Sequence, residues 1–372
     1  MRAIYLDHNA TTPLLPEVGA AIAQAPFGNP SSLHGFGQEA KRALDRARTQ
    51  VARFAGVEPD EVLFTSGGTE ADNLALQAAH PFRRLVVSAV EHSAIREPAA
   101  ALEASGLAVA TLPVDGEGKV EVEALAPLLK AGPALVSVQA ANHEVGTLQP
   151  LADLAACCRD HDSLLHTDAV QAAGRLPLQA LGADLLSLSA HKLGGPMGVG
   201  ALIVRRGIPL EPLLRGGPQE YRLRAGTENL PGIVGFGVAC ELARERLEAR
   251  TLHTRRLRDR LEAELQEAFP GLRRNGPTAL RLPNTLSLTF PGLASDELQA
   301  ALDLEGIAVS TGAACASEAR KPSPILLAMG RSAAEARATL RFSLGETTTE
   351  DDLTRTREAL QVVLARMGWK GH

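Results

Sequence analysis

Lysine is scarce in this sequence. Among 372 residues only Lys41, Lys119, Lys130, Lys192, Lys321 and Lys370 occur. Aromatic residues make up 3% against 45% hydrophobic content, so a large core must be built from Leu, Val, Ile and Ala. The four cysteines, Cys157, Cys158, Cys240 and Cys315, have the spacing of neither a disulfide framework nor a zinc site, which leaves no metal expected. They read as reduced thiols of a cytoplasmic protein. The opening "MRAIYLDHNATTP" carries Asp7 and lacks the apolar stretch of a signal peptide. No apolar run reaches the ~18 residues of a membrane span, so no membrane partner is expected. A net charge of −5, with no basic run, argues against a nucleic-acid partner. The plentiful arginines are scattered along helical stretches such as "RERLEARTLHTRRLRDRLEAEL", the pattern of a solvated helix face. Internal repeats and low-complexity segments are absent.

Five of the six lysines have ordinary surface surroundings: a polar helical run, a turn, a helix end, a pre-proline loop and the tail. Lys192 does not. It sits in "SLSAHKLGGPMGVGAL", after the apolar run "ADLLSLSA" and before a Gly-Gly-Pro turn. A lysine in apolar surroundings loses its proton readily and becomes a nucleophile. The chemistry that suits it is a Schiff base to a carbonyl substrate or to pyridoxal phosphate.

Strand-like and helix-like runs alternate through the first two-thirds. "EVLFT" precedes "EADNLALQAAH", "RLVVS" precedes "AIREPAAALEASG", and "ALVSVQ" precedes "LADLAACCRDHD". "LLHTD", "DLLSLS" and "VGALIVRR" follow. This order predicts an α/β fold with a mostly parallel central sheet in a large domain, residues 1–250. A long Arg/Glu-rich helix is expected from about Val238 to Phe269, with a boundary near 245–255. "NTLSLTF", "SDELQAALDLEG", "IAVST", "ATLRFSL" and "TEDDLTRTREALQVVLARMG" then form a smaller α+β domain, residues 251–372. Residues 1–15 are expected to pack on that smaller domain.

Ligands of open parallel sheets bind beyond the carboxyl ends of the strands. The first such end reads "TSGGTEADN", a strand, Ser66-Gly67-Gly68-Thr69 and a helix, which is a backbone nest suited to phosphate. His92 falls just past "RLVVS", where a lone histidine is more often structural. Asn142, His143 and Glu144 follow the third strand. Asp168 ends the fourth, with Gln171 three residues on; Asp168 reads equally as a helix N-cap or as the carboxylate facing a pyridinium nitrogen. Ser189, His191 and Lys192 end the fifth. A phosphate nest, a carboxylate and a lysine in order along one sheet edge point together to pyridoxal phosphate on Lys192.

With these motifs placed, the chain resembles the cysteine desulfurases of the NifS/IscS group, in the class-V aminotransferase family of fold-type-I pyridoxal phosphate enzymes. The resemblance rests on "YLDHNATTP", "GNPSSLHGFGQEA", "FTSGGTEADN", "EHSAI", "NHEVGTLQP", "HTDAVQ", "SAHKLGGPMGVGAL", "RAGTEN", "STGAACAS" and "LRFSLG". It implies that Lys192 carries the cofactor, Asp168 pairs with its pyridine nitrogen and His92 stacks on its ring. Gln171 would reach the phenolic oxygen, with Asn142 and His143 in the same shell. Gly68, Thr69, Ser189 and His191 would hold the phosphate. Thr227 would reach the phosphate of a neighbouring subunit, which implies a homodimer. Arg341 would clamp the substrate carboxylate, and Asn29 would lie near the substrate.

Taken alone, Cys315 in "TGAACASEARKPSP" is an unremarkable loop thiol. The resemblance makes it the nucleophile that takes sulfur from L-cysteine, leaving alanine and a persulfide, with Lys192 or His92 removing the α-proton. A sulfur-acceptor protein is then implied: an iron–sulfur scaffold, a tRNA-thiolation protein or another cofactor pathway. Three motifs depart from the family pattern. His143 replaces the second Asn of the usual Asn-Asn-Glu, "STGAAC" replaces Ser-Ser-Gly-Ser-Ala-Cys, and Ala225 stands where Ser is common. A histidine at 143 can donate one hydrogen and gain a proton near neutral pH, so its titration is expected to colour the cofactor spectrum. Rival readings are a selenocysteine lyase, a small-amino-acid aminotransferase, which would not need Cys315, and a cofactor-binding scaffold without turnover.

Overall fold

The computed structural model describes residues 2–312 and 321–369; Cys315 and Lys370 lie outside them. Its strands, in chain order, are β1 (Ile4–Tyr5), β2 (Val62–Thr65), β3 (Arg84–Ser88), β4 (Ala108–Leu112), β5 (Leu135–Ser137) and β6 (Leu164–Asp168). Then come β7 (Leu185–Ser189), β8 (Gly200–Val204), β9 (Arg273–Asn275), β10 (Thr285–Thr289), β11 (Ile307–Ala308) and β12 (Thr339–Ser343). A seven-stranded sheet has the order β2-β8-β7-β6-β5-β3-β4. Only β8 runs against its two neighbours; the other pairings are parallel. This is the α/β, mostly parallel architecture expected from the alternating runs.

Parallel sheets need both faces covered, and the strand sequences supply two apolar faces. Along β3, Leu85 and Val87 face one core while Val86 faces the other. Along β8, Leu202 and Ile203 divide in the same way. One face packs on Leu44, Val51 and Phe54 of the helix Gly35–Ala55 and on Ile233 and Phe236 of the helix Leu230–Glu245. The other packs on Leu74 and Ile95 from the helices Gly68–Ala75 and Ser93–Ala104. Each fully buried side chain of this size contributes ~2 kcal/mol.

A separate core joins β10 and β12 to the helices Leu247–Ala268 and Glu350–Arg366, through Leu257, Leu261, Leu288, Phe342 and Leu360. β9, β10 and β12 form an antiparallel sheet. Ile4 and Leu6 belong to this second core, and β1 pairs with β11. The long helix expected from Val238 to Phe269 is instead two helices that meet at Arg246 (φ −95°, ψ 2°). The first buries Ile233, Phe236 and Ala243 in the large sheet's core, and the second buries Leu257, Leu261 and Leu265 in the other. One straight helix cannot serve both cores. Arg246 pairs with Glu17 and Glu346 at the joint. β4 escaped the sequence reading because it is an edge strand whose "AVATL" is mostly solvent-facing. No helix among the described residues is long and apolar enough to cross a membrane.

Candidate active site

The carboxyl ends of β2, β3, β6 and β7 border a cavity of about 360 Å³. Its lining includes Gly68, Thr69, His92, His143, Asp168, Gln171, Ser189, His191, Lys192 and Arg341, so the fold brings most of the expected residues together. Their placement follows from topology. β6 and β7 are adjacent and parallel, which sets Asp168 and Ser189 on neighbouring strand ends. Lys192 comes three residues later, at the close of a single 3₁₀ turn, Ala190–Lys192. Gly194 then takes φ +87°, where a Cβ would also stand 2.6 Å from Leu15 Cγ. The Gly-Gly pair thus turns the chain back into the antiparallel β8.

Lys192 Nζ donates to Asn9 O at 2.6 Å and Ala10 O at 2.8 Å. No carboxylate pairs with it among the described residues. Burial first, then Arg341 and Arg175, push its pKa down from 10.5 to about 8, against smaller upward pulls from Asp168 and Asp7. The neutral amine is therefore abundant above about pH 8. The rate at which cofactor-free protein captures an aldehyde on Lys192 should rise with pH and level off near 8. A rate still climbing through pH 10 would show an ordinary lysine.

Asp168 accepts a hydrogen bond from Val170 N at 2.8 Å but has no ion-pair partner among the described residues. Burial raises its carboxyl to about 6, while the Val170 N–H and Lys192 pull the other way. Asp72, also lining the cavity and fully buried, is held well above the carboxylate range by burial and by Asp168. A carboxylate so placed is completed by a cation entering the cavity. In the same cavity wall, a Cβ on Gly68 would lie 2.9 Å from Val170 Cγ2, so glycine lets the helix Gly68–Ala75 start close against the connection after β6. Its N-terminal amides, Thr69, Ser189 and His191 border the same opening. An orphan carboxylate, an anion cradle and a lysine lining one cavity fit pyridoxal phosphate.

His92 caps the helix Ser93–Ala104; its Nδ1 accepts from Ala94 N at 3.1 Å. That bond places the proton of the neutral ring on Nε2. Burial, then Lys192, lowers its pKa to about 4. Of the two candidate bases, the Lys192 amine thus has the higher proton affinity. His143 meets His92 edge-on at 5.0 Å between ring centres. The expected titration of His143 near neutrality is corrected here: burial, then His92 and Arg341, push its pKa well below the usual range. It stays a neutral neighbour.

Arg341 Nη1 donates to His143 O at 2.9 Å, Nη2 donates to Asp7 at 2.7 Å, and Nε has no partner among the described residues. Three expectations fall outside the cavity. Asn142 is fully buried in a turn and does not line the cavity: its amide nitrogen donates to Val90 O and its amide oxygen accepts from Glu144 N and Val145 N. Asn29 is exposed and accepts from Ser31 N. Thr227 is exposed and does not line the cavity. Four lining or supporting residues were not singled out from the sequence: Asp7, Asn9, Asp72 and Arg175. Asn9 is the hub of the N-terminal strap, donating to His143 O and Thr285 and accepting at its carbonyl from Gln171 and Lys192. "YLDHNATTP" was the available signal, but its partners lie far along the chain.

The chain belongs to the class-V aminotransferase family, whose pattern it matches over residues 4–356. Within that family it is similar to the cysteine desulfurase of Cereibacter sphaeroides, 46% identical over 99% of this chain and 97% of the relative. It is also similar to the cysteine desulfurase IscS of Dictyoglomus turgidum, 41% identical over 98% and 95% of the two chains. A solved NifS-like protein superposes with a TM-score of 0.91 at 37% identity, over 98% of this chain and all of that one.

Proposed function

We propose that the protein is a pyridoxal-phosphate-dependent cysteine desulfurase, converting L-cysteine to L-alanine with transfer of the sulfur to Cys315. The observation that carries this reading is the cavity itself, where a depressed lysine, an unpaired buried carboxylate and a helix N-terminus converge. It is supported by full-length similarity to proteins of that name. Lys192 would bond the cofactor's aldehyde. Asp168 would face its pyridine nitrogen, Gln171 its phenolic oxygen, and His92 its ring. Gly68, Thr69, Ser189 and His191 would hold its phosphate. When bound, pyridoxal phosphate supplies an electron sink for the pair released at the substrate's α-carbon.

Lys192 takes the α-proton, being the cavity amine whose pKa lies near operating pH. Arg341 receives the substrate carboxylate. Cys315 attacks the substrate sulfur: its carbon–sulfur bond breaks, a sulfur–sulfur bond forms, and the carbon gains hydrogen in place of sulfur. L-Cysteine and one thiol thereby become alanine and one persulfide. The persulfide then passes to an acceptor protein, for which an iron–sulfur scaffold is one candidate, in a cytoplasmic setting. The exposed Thr227, and the apolar surface of Phe27, Leu33 and Phe36, suit a homodimer in which Thr227 serves the partner's phosphate site.

The test is to incubate the reconstituted protein with L-cysteine and a thiol. Alanine and sulfide in equal amounts are expected, and a requirement for a keto acid would mark an aminotransferase instead. Arg341→Lys should raise KM for L-cysteine roughly 10- to 100-fold with a smaller change in kcat, since a carboxylate clamp acts on ground and transition states alike. An unchanged KM would remove Arg341 from the substrate site.

A further inference from the structure

Arg175 lies four residues beyond Gln171, in the irregular connection between β6 and β7. It is buried, yet every acceptor it meets is neutral. Nη1 donates to Gln171 O at 2.8 Å and to Gln171 Oε1 at 2.7 Å, and Nη2 donates to His8 O at 3.2 Å. No carboxylate pairs with it among the described residues. The charged groups facing it are already spent: Arg250 on Glu346, and Arg341 on Asp7. His8 beside it is kept neutral, its pKa lowered to about 4 by burial and by Arg175. Burial, then Arg250 and Arg341, lower that of Arg175 itself to about 9. A buried cation without an anion is unstable unless the site receives negative charge.

Gln171 shows where that charge belongs. Its Oε1 is engaged by Arg175, and one Nε2 hydrogen goes to Asn9 O at 3.0 Å. Flipping the amide would set donor against donor at the guanidinium and acceptor against acceptor at Asn9. The amide is therefore fixed, and its second N–H is the one left for the cavity that Gln171 lines.

We propose that Arg175 is a positioning residue: it locks the Gln171 amide with an N–H toward the cavity and keeps a net positive charge behind it, matched to the anionic phenolic oxygen of the bound cofactor. This rests on the pyridoxal phosphate reading above. A fixed donor backed by a cation stabilises the ionised oxygen, and so favours the bound form that has lost the proton at the lysine linkage. Removing Arg175 should then raise the pH midpoint of the cofactor's visible absorption.

The experiment is a spectral pH titration of reconstituted holoenzyme in a double-mutant cycle. Arg175→Gln should raise the midpoint by on the order of one pH unit. Gln171→Leu should raise it too, and Arg175→Gln in that background should add roughly half its single effect or less. Arg175→Lys, whose one ammonium cannot reach all three acceptors together, should give a smaller shift of the same sign, and it decides the matter if Arg175→Gln does not fold. A wild-type midpoint in the substituted protein, or equal shifts in both backgrounds, would overturn the proposal. A wild-type protein that takes up no pyridoxal phosphate would overturn the cofactor reading instead.

Discussion

Cys315→Ser is expected to bind pyridoxal phosphate and L-cysteine as the wild type does, and to release sulfide ~10³-fold more slowly or worse. No other cysteine can substitute. Cys157 and Cys158 lie in the helix Leu151–Asp160, and Cys240 in Leu230–Glu245. None lines the cavity, and burial pushes the thiols up, that of Cys158 to about 12. The cavity wall includes Ser310 and Gly312, and Cys315 follows Gly312 by three residues. Similarity to proteins named cysteine desulfurase supports Cys315 as the nucleophile. Sulfide release by Cys315→Ser near the wild-type rate would remove it as the nucleophile.

Lys192→Ala is expected to lose the borohydride-reducible bond between protein and cofactor, and to slow alanine formation ~10³-fold or more. Two functions fall together, since the same amine bonds the cofactor and takes the α-proton. Among the described residues no second lysine lines the cavity to take either over. Lys41, Lys130 and Lys321 are exposed, and Lys119 follows a turn. Added alkylamine of small size should restore part of the activity. A substituted protein that still reduces with borohydride onto a lysine would place the cofactor elsewhere.

The parts of the site that the sequence disclosed are those carried by the strand ends. Asp168 and Ser189 end apolar strands, Gly68, His92 and Lys192 follow within four residues of one, and parallel topology alone lines such residues along one edge. What stayed hidden depends on contacts between distant segments. Asp7 and Asn9 reach the cavity because Asn9 N donates to Ser343, hundreds of residues away, and Asp7 pairs with Arg341. No local pattern announces that. Arg175 looked like any other arginine because its value lies in lacking a carboxylate. Asn142 looked like a cofactor ligand because a polar residue after a strand does not reveal whether its amide oxygen is engaged by its own turn, as that of Asn142 is by Glu144 N and Val145 N. His143 shows the same limit for electrostatics: imidazole titrates near neutrality in water, and only the packing around it shows that burial pushes its pKa down. The joint at Arg246 was invisible because the charged run "ELARERLEAR" continues across it without a helix-breaking residue, while the cores that part the two helices are assembled from the rest of the chain.

The most direct measurement of the central claim is a single turnover without reductant: reconstituted protein and one equivalent of L-cysteine, followed by alanine analysis and mass spectrometry of the Cys315 peptide. The account predicts alanine and a persulfide on Cys315 in equal amounts. Alanine formed with the sulfur on another residue or none, or pyruvate in place of alanine, would contradict it.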